Sequence, residues 1–566
     1  MYITAPRLLL LAATLLANVV SAASPEAVHG QRGMVASRSM LASEVGARIM
    51  RDGGNAIDAA VATGFAIAVT YPSAGNLGGG GFMVIRLADG TVVTNDHRER
   101  APGAAHRDMY LDEAGQVVQG ASTTSHLAAG VPGTVAGLLD VLERYGTVSR
   151  KQALAPAIEL ARGGFLLSYD LARNLGRRAD TFRRYPGSAA QFLQPDGTTF
   201  ATGDRFRQPD LARTLTRISD QGRDGFYKGE TADLIVAEMQ RGNGLINHED
   251  LTSYRSVWRE PIAGRYRGHE IYSMPPPSSG GVLIVQMLNM LEPFDLAAMG
   301  YGSAARAHLL IEAERRAYAD RAEHMGDPDF YPVPVHRLID PGYARTRFAD
   351  FNVDQASRSQ DIGAGQWPSE SPETTHISVL DAAGNAVAFT TTLNLSFGSK
   401  IVVQGAGFLL NNEMDDFSVK EDTPNAYGLI GRKANAIEPG KRMLSSMSPT
   451  VVVKDGKPLL VTGSPGGATI ITTVLQVIVN VIDHNMDVSD AVAAPRFHHQ
   501  WQPDRIIYEP YAFSPDTLRV LDRLGHKNLQ PWTYGRGIGD ANSVMGRNGE
   551  LLGVNDPRND GGSVGF

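Results

Sequence analysis

Thr374 stands at a junction where a hydroxyl group can become a nucleophile. The residues before it, 360–372, are polar and rich in Gly, Ser and Pro, the composition of an exposed segment. Those after it are different: Thr375–Leu380 alternates and is β-branched, Asp381-Ala-Ala-Gly384 supplies turn residues, and Asn385–Leu393 resumes with Val, Phe and threonines. A strand hairpin is predicted. If the Glu373–Thr374 bond is cut, Thr374 gains a free α-amine that can serve as general base for its own hydroxyl. A threonine that merely opens a strand has the same local sequence, so support must come from elsewhere in the chain.

Three other stretches carry residue types with chemistry. Gly463-Ser-Pro-Gly-Gly467 lies between a predicted strand, Lys457–Val461, and a predicted helix, Ile470–Ile482. A strand–glycine turn–helix arrangement aims free backbone N–H groups at one point and can form an oxyanion hole, although many such turns carry Gly for geometry alone. Asn411-Asn-Glu-Met-Asp-Asp-Phe417 gathers Glu413, Asp415 and Asp416; taken alone, Asp415-Asp416 reads as a calcium-binding or solvated pair. Arg98 follows a predicted strand, Thr91–Asn95, where an arginine is either an anion hook or half of a surface pair. Other features read as decoys. His248-Glu249 and His269-Glu270 lack the second histidine of a zinc-protease helix. His498-His499 reads as structural packing, Gly463-Ser464 does not complete a nucleophile elbow, and Asn394-Leu395-Ser396 is a sequon only in a eukaryotic secretory pathway.

The elements that must position these residues fall into two regions. Met40–Arg51 and Ala56–Val69 read as helices, the second apolar all round and therefore buried. Tyr71–Gly81 is a glycine-rich turn without the Lys-Ser/Thr of a phosphate loop, so its glycines serve close backbone approach. From Gly133 to Asp350 the pattern is mainly helical, with 3.6-type spacing over Thr134–Arg144, Gln152–Arg162, Ala232–Gln240, Val282–Leu291 and Ala304–Arg321. Past Thr374 it turns to strands, including Gly407–Asn411 and a hairpin over Thr450–Val461. Ser418–Arg442 has no periodicity and reads as a lid or binding loop.

At 566 residues the chain exceeds a typical single domain, and 43% apolar with 20% charged residues is ordinary globular composition. A net charge of −7 over that length argues against a nucleic-acid or anionic-membrane binder. Arg7, the apolar run Leu8–Val20 and the small residues at Val20-Ser21-Ala22 read as a secretory signal, residues 1–22, with an uncleaved anchor as the alternative. No other stretch is long and apolar enough to cross a membrane. The absence of cysteine removes disulfides, thiolate metal sites and a cysteine nucleophile together, and export to a bacterial periplasm or medium fits best.

Taken together, Gly53–Ala60, Asn76–Gly81, Arg98-Glu-Arg-Ala-Pro102, Thr374-Thr-His376, Thr391-Thr-Leu-Asn394, Leu410–Phe417, Leu444-Ser-Ser-Met-Ser-Pro449, Thr462–Gly467 and Ala494-Pro-Arg-Phe-His-His499 resemble the γ-glutamyltransferase family over essentially the whole mature chain. The resemblance implies a precursor that cuts itself before Thr374 into a larger subunit, 23–373, and a smaller one, 374–566, that stay together. The implied fold is α+β, the four-layer αββα sandwich of N-terminal nucleophile hydrolases. By matching positions, Thr374 is the nucleophile, with Thr392 contacting and assisting it. Gly466 and Gly467 are the oxyanion donors. Arg98, Ser445 and Ser446 hold a substrate α-carboxylate; Asn394, Glu413 and Asp416 hold its α-ammonium; and Tyr427 is the aromatic that closes over the substrate. Position 413 is Glu where some relatives have Gln. One cation and hydroxyl donors beside carboxylates complement a zwitterion independently of the resemblance. The implied activity is transfer of the γ-glutamyl group of glutathione or related compounds, through an ester on Thr374, to water, an amino acid or a dipeptide, with no metal or organic cofactor. The alternatives are a glutaryl or cephalosporin acylase, which would not need Asn394, Glu413 and Asp416, and a non-catalytic periplasmic amino-acid or peptide binding protein, which would remain one uncut chain.

Overall fold

The computed structural model of the chain describes residues 24–363, 374–420, 433–533 and 537–566. The predicted signal, Glu373 and Tyr427 lie outside these residues. Two seven-stranded antiparallel sheets dominate the fold. The first runs in the order Gly562–Gly565, Gly33–Ser37, Thr375–Asp381, Ala386–Thr392, Gly80–Arg86, Val92–Asp96, Val257–Arg259. The second runs Val28–Gly30, Glu550–Val554, Ser543–Arg547, Lys457–Thr462, Thr450–Lys454, His269–Ser273, Ile262–Tyr266. Strands that follow Thr374 occupy the centre of both sheets, flanked by strands that precede it.

Strand alternation assigns the first sheet's side chains to different cores. Ile377, Val379, Val387 and Phe389 join Val35, Met83 and Ile85 in a core shared with the helices Met40–Arg51, Ala56–Thr70 and Thr134–Tyr145. Leu380, Ala386 and Ala388, with Phe82 and Val84, face the other way. They meet Val451, Leu460, Val461 and Val544 of the second sheet in a core that also takes in the helices Gly280–Leu291, Ala304–His324 and Thr469–Ile482. Ala56–Thr70 is buried along its whole length, as its uninterrupted apolar sequence requires. Its start is fixed by a capping box, in which Asn55 accepts from the N–H of Ile57 and Asp58, and Asp58 accepts from that of Asn55. Each large side chain it buries, such as Phe65 or Ile67, contributes roughly 1.5–3 kcal/mol.

The structure departs from the sequence reading in three places. The 133–350 region is mainly helical as expected, but 257–273 forms three strands, two at the edge of the second sheet and one at the edge of the first. Small or polar residues at inward positions (Gly264, His269, Ser273) weaken the apolar alternation there. The helices Tyr169–Phe182 and Pro209–Gln221 are not among those predicted, although each buries a regular stripe, such as Leu171, Leu175, Ala179 and Phe182 in the first. Gly407–Asn411 is not a strand but makes isolated bridges, Leu409 to Val402 and Leu410 to Gly78. No helix among the described residues is long and apolar enough to cross a membrane.

Candidate active site

The register of the central hairpin sets the site. Thr375 pairs with Thr391, so one step further out Thr374 stands opposite Thr392. Both belong to the face that looks toward the second sheet. The Thr374 hydroxyl reaches Thr392 Oγ1 at 3.5 Å, and that oxygen also accepts from the Asn394 N–H at 2.8 Å. Behind them on the same face, His376 bridges Thr390 and Ser378, at 2.8 and 3.0 Å. Burial pushes its pKa down to about 3, which makes it a neutral strut.

The glycine-rich turn anchors the far end of the hairpin. Asn76 donates to Thr391 Oγ1 at 3.0 Å and to the Thr392 carbonyl at 2.8 Å, while its own oxygen accepts from Gly79 N–H and the Thr134 hydroxyl. A Cβ on Gly79 would lie 2.1 Å from the Thr392 carbonyl oxygen. The close approach expected of these glycines is present, and Asn76 is the side chain that uses it.

On the opposite wall, Lys457–Thr462 leads through Gly463–Gly467 into the helix Thr469–Ile482. Gly466 and Gly467 have φ of +135° and +56°, a backbone path that favours glycine. A Cβ on Gly466 would also strike Thr469 Oγ1 at 2.3 Å. Among the described residues the N–H groups of both glycines donate to no backbone carbonyl. Gly467 lines the cleft beside Thr374 and Thr392, with Gly466 one residue behind.

The other end of the cleft is charged and buried. Arg98 is held by backbone carbonyls of Met443 and Leu444 at 3.2 and 3.3 Å, and it grips Glu413 through Nη1 and Asp416 through Nη2. Burial alone would lower its pKa; Glu413, Asp416 and Glu99 outweigh burial and raise it. Glu413 stands well above the ordinary carboxyl range, chiefly because it is buried. Burial likewise pushes Glu99, 3.7 Å from Arg98, up to about 7. Ser445 and Ser446 close this end. Lined by these groups, the cleft retains about 20 Å³, room for little more than a water.

The structure thus brings Thr374, Thr392, Gly467, Arg98, Glu413, Asp416, Ser445 and Ser446 to one cleft. Asn394 is not among the residues lining the cleft but adjoins it through its N–H on Thr392; its amide donates to the Asn412 carbonyl at 2.9 Å and its φ is +74°. Asp415 is not paired with Asp416; it accepts from Ser122 at 2.6 Å and ties down a neighbouring segment. His498 and His499 are packed inside, against Thr472 and Gln500 and against Asp504 respectively. Sequence reasoning missed Arg321, Glu99 and Asn76. Glu99 and Asn76 lie inside motifs that were singled out, but Arg321 belongs to a charged helix that reads as surface and is buried. One further cluster, His308, Glu312 and His526, gathers potential ligand atoms. There Glu312 already serves Arg315, Arg316 and the Ser357 N–H, and the two imidazoles hydrogen-bond at 2.7 Å, a closed network rather than a cation's cradle.

Comparison with known proteins agrees with this geometry. The profile of the family described as Gamma-glutamyltranspeptidase matches residues 42–566. A glutathione hydrolase proenzyme of Escherichia coli (strain K12) is 51% identical over 534 residues, 94% of this chain and 91% of that protein. A cephalosporin acylase from Bacillus halodurans superposes with a TM-score of 0.84 at 27% identity, covering 97% of this chain and 98% of that one. A Helicobacter pylori gamma-glutamyltranspeptidase chain is 48% identical with a TM-score of 0.57, covering 57% of this chain and 93% of its own. The sequence motifs, the cleft and these likenesses converge: the chain belongs to the gamma-glutamyltranspeptidase family.

Proposed function

We propose that the protein is an exported, self-processing γ-glutamyltransferase that cleaves the γ-glutamyl amide of glutathione and related compounds. The observation that carries the reading is a single cleft with a threonine hydroxyl pair at one end and, at the other, one guanidinium shared between two carboxyl groups. In this reading the substrate α-carboxylate takes Arg98, Ser445 and Ser446, and its α-ammonium takes Glu413, Asp416 and Asn394. Anchoring that end converts binding into proximity of the γ-carbonyl to Thr374.

The Thr374 oxygen attacks that carbon while its α-amine, freed by cleavage after Glu373, accepts the hydroxyl proton. Thr392 orients the attacking oxygen. The oxyanion is held by the N–H groups of Gly466 and Gly467. Collapse breaks the C–N bond, the ammonium returns its proton to the departing amine, and a γ-glutamyl ester stays on Thr374. Water, or the amine of an amino acid or dipeptide, then attacks the ester and regenerates the hydroxyl.

The packing of the two sheets with helices against each core supports the four-layer αββα arrangement. The interleaving of strands from both sides of Thr374 gives a physical reason for the subunits 23–373 and 374–566 to stay together after a cut. The word proenzyme in the E. coli relative's name accords with that cut. Residues 1–22 serve as the export signal, and Tyr427 closes the lid over the bound substrate. The acylase likeness is accommodated by the shared fold. A glutaryl donor would use Arg98 but leave Glu413 and Asp416 without an ammonium, so γ-glutamyl donors are favoured.

The test is steady-state turnover of glutathione and of a γ-glutamyl anilide, with mass detection of a γ-glutamyl adduct on the fragment that begins at Thr374. Turnover with the adduct on Thr374 supports the reading. Turnover with the adduct elsewhere, or none on either donor, refutes it.

A further inference from the structure

The cleft contains a second buried cation. Arg321 lines it, is 4% exposed, and belongs to the last turn of the helix Ala304–His324, where the helix dipole favours a positive charge. Its Nη2 donates to Ser446 Oγ at 3.1 Å, and its Nε donates to Ser279 Oγ at 2.9 Å. The Ser279 hydroxyl in turn donates to the Ser445 carbonyl at 2.8 Å, and the Ser279 N–H donates to the same carbonyl. One turn earlier on the same face, the Tyr318 hydroxyl donates to the Ala468 carbonyl, just past the glycine turn. One helix face therefore braces both the paired serines and the start of the opposite wall.

We propose that Arg321 is a positioning residue of the α-carboxylate subsite, acting through Ser446 directly and through Ser279 on Ser445. A hydroxyl oxygen that accepts from a guanidinium must direct its own hydrogen elsewhere, and for Ser446 the cleft is the open direction. Arg321 thereby makes Ser446 a committed donor. It also places a positive charge behind that donor, strengthening it toward an anion. Arg98 alone cannot supply this effect, because Glu413 and Asp416 already claim its two terminal nitrogens. Arg321 therefore adds a second positive charge to a cleft whose first guanidinium is already paired.

This inference rests on the γ-glutamyl reading, and the experiment separates the two. Wild type, Arg321→Met, Arg321→Lys, Ser446→Ala and the Met/Ala double variant are assayed on a γ-glutamyl anilide and on its α-carboxamide counterpart, which lacks the carboxylate. For Arg321→Met, loss of one charge-assisted hydrogen bond predicts a KM about 10- to 30-fold higher on the acid donor, with kcat within about threefold and the amide donor nearly unaffected. Arg321→Lys recovers most of the loss. The double variant is hardly worse than the worse single one, because both changes break the same contact. Equal losses on both donors, a loss confined to kcat, additive effects, or wild-type behaviour of Arg321→Met would each overturn the proposal. If Arg321→Met does not mature, Ser279→Ala substitutes for it: a KM rise of about three- to tenfold on the acid donor alone supports the relay, and equal change on both donors overturns it. A wild type inert on both donors sinks the proposed function itself.

Discussion

Removing the α-ammonium from the donor tests the charged end of the cleft most sharply. In the free site Arg98 is paired with Glu413 and Asp416, whose side chains are 1% and 11% exposed. A zwitterion exchanges that arrangement for two new pairings, its carboxylate on the guanidinium and its ammonium on the carboxyls, so no buried charge is left alone. A glutaryl donor supplies only the carboxylate. It draws on Arg98 and leaves two buried carboxyls short of a cation. A hydrogen bond to a charged group contributes roughly 1.5–3 kcal/mol, so two lost bonds amount to about 3–6 kcal/mol. Proton uptake by Glu413, whose burial already raises its pKa, relieves part of that loss. The lower half of the range applies, a kcat/KM roughly 10²- to 10³-fold lower for glutaryl anilide than for γ-glutamyl anilide. In Glu413→Gln the unpaired charge is gone, and the gap shrinks by about tenfold. Initial rates on the two anilides, for wild type and variant, provide the assay. A wild-type ratio under tenfold, or a ratio unchanged by Glu413→Gln, would refute the assignment of these carboxyls to the ammonium.

Three further outcomes are expected. Gly466→Ala places a Cβ 2.3 Å from Thr469 Oγ1 on a backbone with φ of +135°, so the turn must shift; kcat falls by about 10²-fold with KM little changed, and an unaltered kcat would count against the oxyanion role. Thr392→Val removes an oxygen that accepts from both Thr374 and Asn394 and is expected to lower kcat roughly tenfold while the variant still folds; a pure KM effect would contradict this. Burial raises Glu99 from 4.5 to about 7, so the folded protein keeps a proton that the unfolded chain gives up, and its contribution to stability falls as pH climbs through that window. Glu99→Gln cannot ionise, so its Tm relative to wild type should rise between pH 5 and pH 8; a constant or shrinking difference would show that Glu99 does not carry this titration.

The site was more legible than the scaffold around it. The hairpin after Thr374, the glycine turns and the carboxylate run are local signals, dictated by turn chemistry and β-branching, and the structure places them within a residue or two of expectation. What sequence could not show is convergence: Thr374 and Arg98 adjoin strands of the first sheet, Ser446 leads into a strand of the second, and Glu413 sits in a helical turn outside both. The resemblance to a known family supplied that convergence before any geometry was available. Arg321 was illegible for a different reason. Its helix, with Glu312, Glu314, Arg315, Arg316 and Asp320, has the composition of a solvated face, yet these residues are buried: Glu312 pairs with Arg315 and Arg316, which also reach Asp504 and Asp350, Asp320 pairs with Arg347, and Glu314 accepts the His499 N–H. The edge strands 257–273 were hidden because Gly264, His269 and Ser273 stand at inward positions where an apolar residue would have marked the period.

The central claim is that Thr374 becomes an N-terminal nucleophile, and a denaturing gel with intact mass of wild type and Thr374→Ala tests it directly. The account predicts two fragments in the wild type, the smaller beginning at Thr374, and a single uncut chain in Thr374→Ala. One intact chain in both, or cleavage that persists without the Thr374 hydroxyl, would contradict it.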